Sequence, residues 1–480
     1  MSEKAPHILL VNPWIYDFSA FDLWSKPLGL LYIAGLLEYL GYRISLIDCM
    51  DRNHPAVLKY QGRDVAKSKK NGSGPYVREI LPTPEVLKFM PRRYSRYGMP
   101  EEIFIQELKN IPVPDVILLT SVMTYWYPGV KHAVELLREA YPGAPIVLGG
   151  IYATLLPEHA RQVVKPDYLI TGPGEIKTAE LLQSLFPAFH PSKSLPQNLD
   201  EFPYPAWHLY SRLNYLIVMT SRGCPYHCTF CATDKISGKY AQRNPDRVLE
   251  EIVSLSKKHK VRDIAFYDDA LFLNKQTRII PLLEKLTKFG VRWRFHTPNG
   301  LHARQIDQYL AKLMYKSGFQ TIRLSFESES PQRLADMKHK VTPNVLQKAV
   351  EHLVEAGYSK KQLEAYVLMG LPRQPFEEVF RSILFVNTLG IKVRLASFSP
   401  IPGTPDYHRA IGDGLFPPNA DPLLMNKSVY PLFRNREAYY RFHRIRQLVN
   451  ILNGGIDHGV SLLEDTDWVK ALSSAIKDFV

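Results

Sequence analysis

The chain is poor in cysteine: there are four in 480 residues, and three of them lie between positions 224 and 231. That count excludes the disulfide framework of a small secreted domain. Long apolar runs are also missing. The best stretch, residues 27–40, is shorter than a membrane span and carries Glu38, so it reads as a buried helix. The N-terminal MSEKAPHILLVN lacks the apolar core and cleavage site of a signal peptide and passes straight into a strand pattern, which leads to the expectation of a cytoplasmic protein. No short internal repeat is found. With 45% hydrophobic and 22% charged residues, a disordered or fibrous chain is excluded, and the length calls for two or three domains.

The formal net charge of +13 suits nucleic acid, acidic lipid, or a phosphorylated or carboxylated substrate. The basic residues are dispersed, so a solvated basic surface is favoured and nucleic acid is not the expected partner. One cluster, Lys67 to Lys70, sits in a Gly- and Ser-containing stretch with the character of a flexible insertion.

Residues 7–12 (HILLVN), 43–48, 115–120 (DVILLT), 145–148 (PIVL) and 167–171 (DYLIT) are strand patterns, with helical spacing over 27–41 and 129–141. Apolar strands separated by helices predict an α/β fold with a doubly wound parallel sheet, whose ligands bind at the carboxyl ends of the strands. This first domain is expected over 1–186 with an insertion at 51–110, and the proline-rich stretch 187–211 reads as a linker. A second alternation over 212–400 has strands at 215–221, 263–269, 291–298, 321–328, 363–370 and 393–400. Helices are expected at 245–258, 275–289, 303–317, 343–356 and 375–389, with Pro281 kinking or shortening the second. Six such units predict a partial (β/α)6 barrel with its site at the strand C-termini. Residues 401–480 lack the alternation and are expected to be a mostly helical extension. Its basic stretch 434–452 places Tyr439, Phe442, Ile445, Val449 and Leu452 on one face.

The cysteines form SRGCPYHCTFCATD, a C-x3-C-x2-C pattern directly after the first strand of the second series. Zinc would take the thiolates and a fourth ligand such as His227. A 4Fe-4S cluster would take Cys224, Cys228 and Cys231 and leave one iron open to a small molecule. The position, at the face where a barrel assembles its active site, favours the cluster. The segment resembles the signature of the radical S-adenosylmethionine (SAM) superfamily, including the aromatic Phe230 before the last cysteine. The resemblance implies SAM chelated on the open iron, reductive cleavage to a 5′-deoxyadenosyl radical, oxygen sensitivity, and an electron donor such as flavodoxin or ferredoxin. It also implies cofactor contacts from Phe230, from Arg243 after the loop, and from Asp268 at the end of the second strand (FYDDALF). Glu327 (LSFESES) would lie near the ribose, and Gly370 and Leu371 (YVLMGLPRQ) near the adenine.

The first half resembles the cobalamin-binding domain of the cobalamin-associated branch of this superfamily, in KPLGLLYIAGLLEYLGY, LLTSVMTYW, VLGGIYATLLPEHA and LITGPGE. This implies a corrin between the domains, with Gly149, Gly150, Gly172 and Gly174 admitting close backbone approach and Ser121 and Thr124 reaching the nucleotide tail. Many such domains carry Asp-x-His-x-x-Gly after the first strand. Here NPWIYDFSAFDLWSKPLG has no histidine, so any corrin would lack imidazole ligation from this loop. Trp14, Trp24, Tyr125, Trp126 and Tyr127 suit either a corrin face or a core. The activity implied is cobalamin-dependent methyl transfer to an unactivated centre of a small-molecule or lipid-like substrate. Radical rearrangement, cyclisation or oxidation without catalytic cobalamin is the alternative among enzymes. A nucleic-acid-binding protein with a structural metal is the alternative of another class. His296, Asn299 and Tyr366 are pocket candidates, and Cys49 is expected to be a buried small hydrophobe.

Overall fold

The computed structural model describes residues 5–337 and 341–459. Two parallel sheets organise it. The first contains β1 (His7–Asn12), β2 (Arg43–Asp48), β3 (Val116–Leu119), β4 (Ile146–Leu148) and β5 (Tyr168–Leu169), in the order β5-β4-β3-β1-β2. All six residues of β1 are buried, as a central strand covered on both faces requires. One face is covered by α1 (Leu28–Leu40), which supplies Leu30, Leu36 and Leu37 to a core completed by Leu182 of α4 (Glu175–Leu185). On the other face α2 (Glu101–Asn110) and α3 (Tyr127–Ala140) bring Phe104, Leu108, Val134 and Leu137. The strand order reverses between β1 and β3, which opens a crevice at their carboxyl ends.

The insertion is ordered. Ile15–Asp17, Ser95–Tyr97 and Arg78–Ile80 form a small antiparallel sheet. The Lys67 to Lys70 stretch, expected to be flexible, is pinned by the buried Arg52. Its guanidinium donates to the carbonyls of Lys67 (2.9 Å) and Gly72 (2.7 Å) and pairs with Asp22 at 2.8 Å. A buried guanidinium demands this full set of partners, and satisfying it fixes the turn.

The second sheet runs β6 (Leu216–Val218), β7 (Asp263–Phe266), β8 (Arg294–His296), β9 (Phe319–Glu327), β10 (Leu363–Met369) and β11 (Lys392–Ser397), parallel and in chain order, with Leu301–His302 as a short extra strand on β9. The connecting helices are α5 (Pro245–His259), α6 (Ile279–Leu286), α7 (Gln308–Ser317), α8 (Pro343–Glu355) and α9 (Phe376–Thr388). Pro281 is the third residue of α6, in the first turn, where the missing N–H leaves no helical bond unmade. The helix is short, as the proline suggested. α10 (Arg436–His458) buries the expected apolar face and adds Ile456 to it. Its Asn453 side chain accepts the Val393 N–H (2.8 Å) and donates to the Val393 carbonyl (2.9 Å), covering the free edge of β11.

The stretch read as a linker is packed. Trp207 is fully buried with Trp24, Leu31 and, from β6, Leu216 and Ile217. Polar ties cross the same seam: the Tyr210 hydroxyl donates to Asp48 (2.7 Å), the Tyr215 hydroxyl to Asp22 (2.6 Å), and Arg222 pairs with Glu175 at 2.5 Å. Among the described residues, no helix is long and apolar enough to cross a membrane.

Candidate active site

The cysteine loop follows β6. Pairing of Ser221–Arg222 with Ala241–Gln242 closes its base, and Gly223 turns the chain at φ 80°. Within the loop, the Cys228 carbonyl accepts the Cys231 N–H at 3.0 Å, and Cys231 Sγ lies 3.1 Å from Thr233 Oγ1. The outer side is bolted down by Asp406. The Thr229 hydroxyl donates to its carboxylate (2.7 Å), and the Asp406 N–H donates back to the Thr229 carbonyl (3.0 Å).

Cys224, Cys228 and Cys231 line one cavity of about 250 Å³, together with Phe230, Glu327, Asn299 and Tyr366. The thiols ring this cavity instead of closing on a point: among the described residues, no three His, Cys, Asp or Glu side chains converge as ligands of a single ion. Glu327 ends β9 at φ 72°, beside a register irregularity with β10. A left-handed backbone is rare for glutamate, and such strain concentrates at functional positions.

Several residues expected here are engaged elsewhere. Asp268 is buried and accepts from the Thr220 N–H (3.0 Å), the Thr220 and Ser221 hydroxyls (2.7 and 2.6 Å) and Arg278 (3.1 Å). It ties the end of β6 to the end of β7 and is not among the residues that line the cysteine cavity. Its neighbour Asp269 lines the cysteine cavity instead, and desolvation together with the charge of Asp268 pushes its carboxyl up to about 6. Arg243 is a strut: it pairs with the buried Glu251 at 2.6 Å and donates to the Met219 carbonyl at 2.8 Å. The N–H groups of Gly370 and Leu371 both donate to Gln374 Oε1 (2.9 and 3.1 Å), so β10 meets the cavity through Tyr366 and Leu368. His296 is held by Asp263 (3.0 Å) and Thr321 (3.0 Å) and stacks on Trp24 at 4.4 Å, so it packs and does not line the cavity.

A second cleft, of about 210 Å³, lies between the two sheets. Gly149, Gly150, Gly172 and Gly174 all line it, facing Arg222 and Asp269 from the barrel side. Gly150 has φ 92°, and a Cβ there would run into the Ser121 carbonyl, so the position requires glycine. Ser121 and Thr124 do not reach this cleft. The Ser121 hydroxyl donates to the Gly149 carbonyl (2.7 Å), and Thr124 Oγ1 faces Met425 Sδ at 3.7 Å. Asp269 is common to both spaces.

Sequence reasoning missed a third cavity, of about 940 Å³, at the crevice past β1 and β3. Trp14, Trp24 and Trp126 are on its wall, whereas Tyr125 belongs to a core and the Tyr127 hydroxyl bonds Asp421 at 3.2 Å. Arg323, Glu364 and Arg394 bound its barrel side. The signal was available: charged residues at alternate positions of apolar strands point into a lumen.

Residues 218–386 match the family model of the radical SAM superfamily, and residues 97–182 match that of the B12 binding domain. The chain is 27% identical over 350 residues to an uncharacterised methyltransferase of Pyrococcus horikoshii, covering 66% of this chain and 74% of that one. It is 24% identical over 479 residues to the cytidylyl-2-hydroxyethylphosphonate methyltransferase of Streptomyces wedmorensis, covering 86% and 83%. Among solved structures, the radical SAM methyltransferase TsrM of Kitasatospora setae, with cobalamin and a [4Fe-4S] cluster bound, aligns with a TM-score of 0.61 at 17% identity, over 84% of this chain and 77% of TsrM. At that identity the likeness is one of fold. With both domain models matched, in the order the two sheets follow, the chain carries a B12 binding domain ahead of a domain of the radical SAM superfamily.

Proposed function

We propose that this chain is a cobalamin-dependent radical SAM methyltransferase acting on an unactivated centre of a small-molecule substrate. The observation that carries the reading is that the three-cysteine cavity and the glycine-lined cleft lie on either side of Asp269. The residues present fit the groups required. Three thiols with no fourth cysteine in reach suit a cluster with one open iron, since Cys49 is fully buried in another core. The cavity beside them offers a carboxylate, Glu327, where SAM would sit. Gly149, Gly150, Gly172 and Gly174 line the cleft with bare backbone, which a large flat ligand can approach closely. Both relatives named above are called methyltransferases.

When bound, the cluster and SAM supply a carbon radical that removes hydrogen from substrate, and the cobalamin supplies the methyl group. Cys224, Cys228 and Cys231 hold the cluster. Glu327 would accept hydrogen bonds from the ribose hydroxyls of SAM. Phe230 and Leu368 keep water from the cavity wall. The Tyr366 hydroxyl, donating to the Pro298 carbonyl at 2.9 Å, holds its ring across the lumen. An electron donor such as flavodoxin or ferredoxin is required.

Anaerobic reconstitution with iron, sulfide and hydroxocobalamin tests the reading. Cluster absorption, retained cobalamin and 5′-deoxyadenosine on reduction are expected. Alanine at any of Cys224, Cys228 or Cys231 should abolish the absorption, and Cys49→Ser should not. A protein that holds the cluster but no cobalamin would point instead to rearrangement, cyclisation or oxidation.

A further inference from the structure

Beside α10 a second opening, of about 390 Å³, is lined by Arg92, Lys427, His443 and Arg446, and no carboxylate is among its described lining residues. It shares Ser19, Lys427 and Ser428 with the cavity of about 940 Å³, so the two form one passage. The inner cavity carries seven basic side chains and two carboxylates, Asp17 and Glu364, while Lys26 and Lys392 pair behind the lining with Asp51 (2.8 Å) and Asp457 (2.9 Å). Both lining carboxylates are already engaged. Asp17 accepts from the Phe18 N–H (2.6 Å), Trp126 Nε1 (2.8 Å) and Asn426 Nδ2 (2.9 Å). Glu364 is bonded by Arg323 at 3.1 Å and lies 3.8 Å from Arg394.

Lys427 is where the two spaces meet, and it has no hydrogen-bond or ion-pair partner among the described residues. Desolvation by the surrounding protein, helped by Arg446 and Arg394 and opposed by Asp17, holds its pKa below the ordinary lysine value. A desolvated cation that no carboxylate pairs directly is costly unless an anion joins it. Arg446 is held in place for one, its Nε donating to the Tyr430 hydroxyl (2.9 Å) and its Nη2 to Ser397 (2.5 Å).

We propose that this passage admits the substrate and that Lys427, Arg394 and Arg446 bind an anionic group on it, of the phosphate-ester or phosphonate class. The inference rests on the methyltransferase reading for the identity of the lumen as the reaction space. Cations arriving from several directions match a tetrahedral dianion better than a planar carboxylate. Arg323 and Glu327 lie on the same face of β9, four residues and roughly 13 Å apart at a strand's rise. The anion is therefore a handle remote from the reacting centre, on an extended substrate.

The test uses the anaerobically reconstituted holoenzyme and phenylphosphonate as probe, with benzoate and benzyl alcohol alongside, titrated by calorimetry. Phenylphosphonate should bind at least ten-fold more tightly than either, and Lys427→Gln and Arg446→Gln should each weaken it ten-fold or more with cobalamin content unchanged. Should either variant fail to fold, Arg92→Gln at the half-buried rim reads the same site. Equal binding of the three probes, benzoate binding as tightly as the phosphonate, or variants that bind like the parent would overturn the proposal. Loss of cobalamin with phosphonate binding intact would also overturn it, assigning the cations to the cofactor's own phosphodiester. Phosphonate binding in a parent that cleaves no SAM would support the anion site and sink the methyl-transfer reading alone.

Discussion

Asp268 and Asp269 are adjacent carboxylates with opposite tasks. Asp268 anchors Arg278, whose side chain is 2% exposed, so Asp268→Ala would strand a buried guanidinium. We expect a loss of about 3–5 kcal/mol of stability, read as a lower urea midpoint. The contrasting case is Glu327. Its replacement by alanine should weaken SAM binding by about 1–3 kcal/mol, the scale of a charge-assisted hydrogen bond, with cluster absorption retained. Unchanged affinity by calorimetry would return Glu327 to a structural role. The cysteine spacing and the four glycines were legible in the sequence because their chemistry is local. Which aspartate faces the cavity was not, since successive residues at a strand end point to opposite sides and the sequence does not say which side is the lumen. The turn-back of Gln374, three residues beyond Leu371, onto the N–H groups of Gly370 and Leu371 was not legible either, because it depends on the local chain path.

At the scale of elements, the edge of β11 depends on α10. Asn453→Ala would leave both polar groups of Val393 without their side-chain partner and should lower stability by about 1–2 kcal/mol, with faster amide exchange at Val393 as the specific readout. β7 and β8 are joined by Asp263. Burial would raise its carboxyl pKa, but hydrogen bonds from Arg294 and His296 prevail and hold it below the ordinary aspartate value. A depressed carboxylate stabilises the fold above its unfolded pKa and loses that contribution as pH falls through the folded one. Asp263→Asn should therefore lower the urea midpoint at pH 7, by about 1–2 kcal/mol given the partly exposed Arg294, and the gap to the parent should close below about pH 4. Both strand series could be read from the sequence because their apolar runs are continuous. The sheet of Ile15–Asp17, Ser95–Tyr97 and Arg78–Ile80 could not, because its strands are three residues long, too short to show a periodicity, and the first pairs with a segment about eighty positions away.

Across the whole molecule, the seam between the sheets is a core. Trp207 is fully buried there, and Trp207→Ala should cost about 3–5 kcal/mol. Because that core draws on both halves, calorimetry should show one unfolding transition for the parent. Two separated transitions would mean that the halves are stable independently. Composition concealed this seam: the polar, proline-rich stretch around Trp207 has the profile of a connector, and its one anchoring indole does not alter that average. The bolt between Thr229 and Asp406 joins positions 177 residues apart. On the ribosome, at roughly 5–20 residues per second, the cysteine loop emerges about ten to thirty-five seconds before its clasp exists. The thiols thus meet the cell first on an unlatched loop, and the order of synthesis gives the machinery that delivers iron and sulfide a window that closes as the chain is completed.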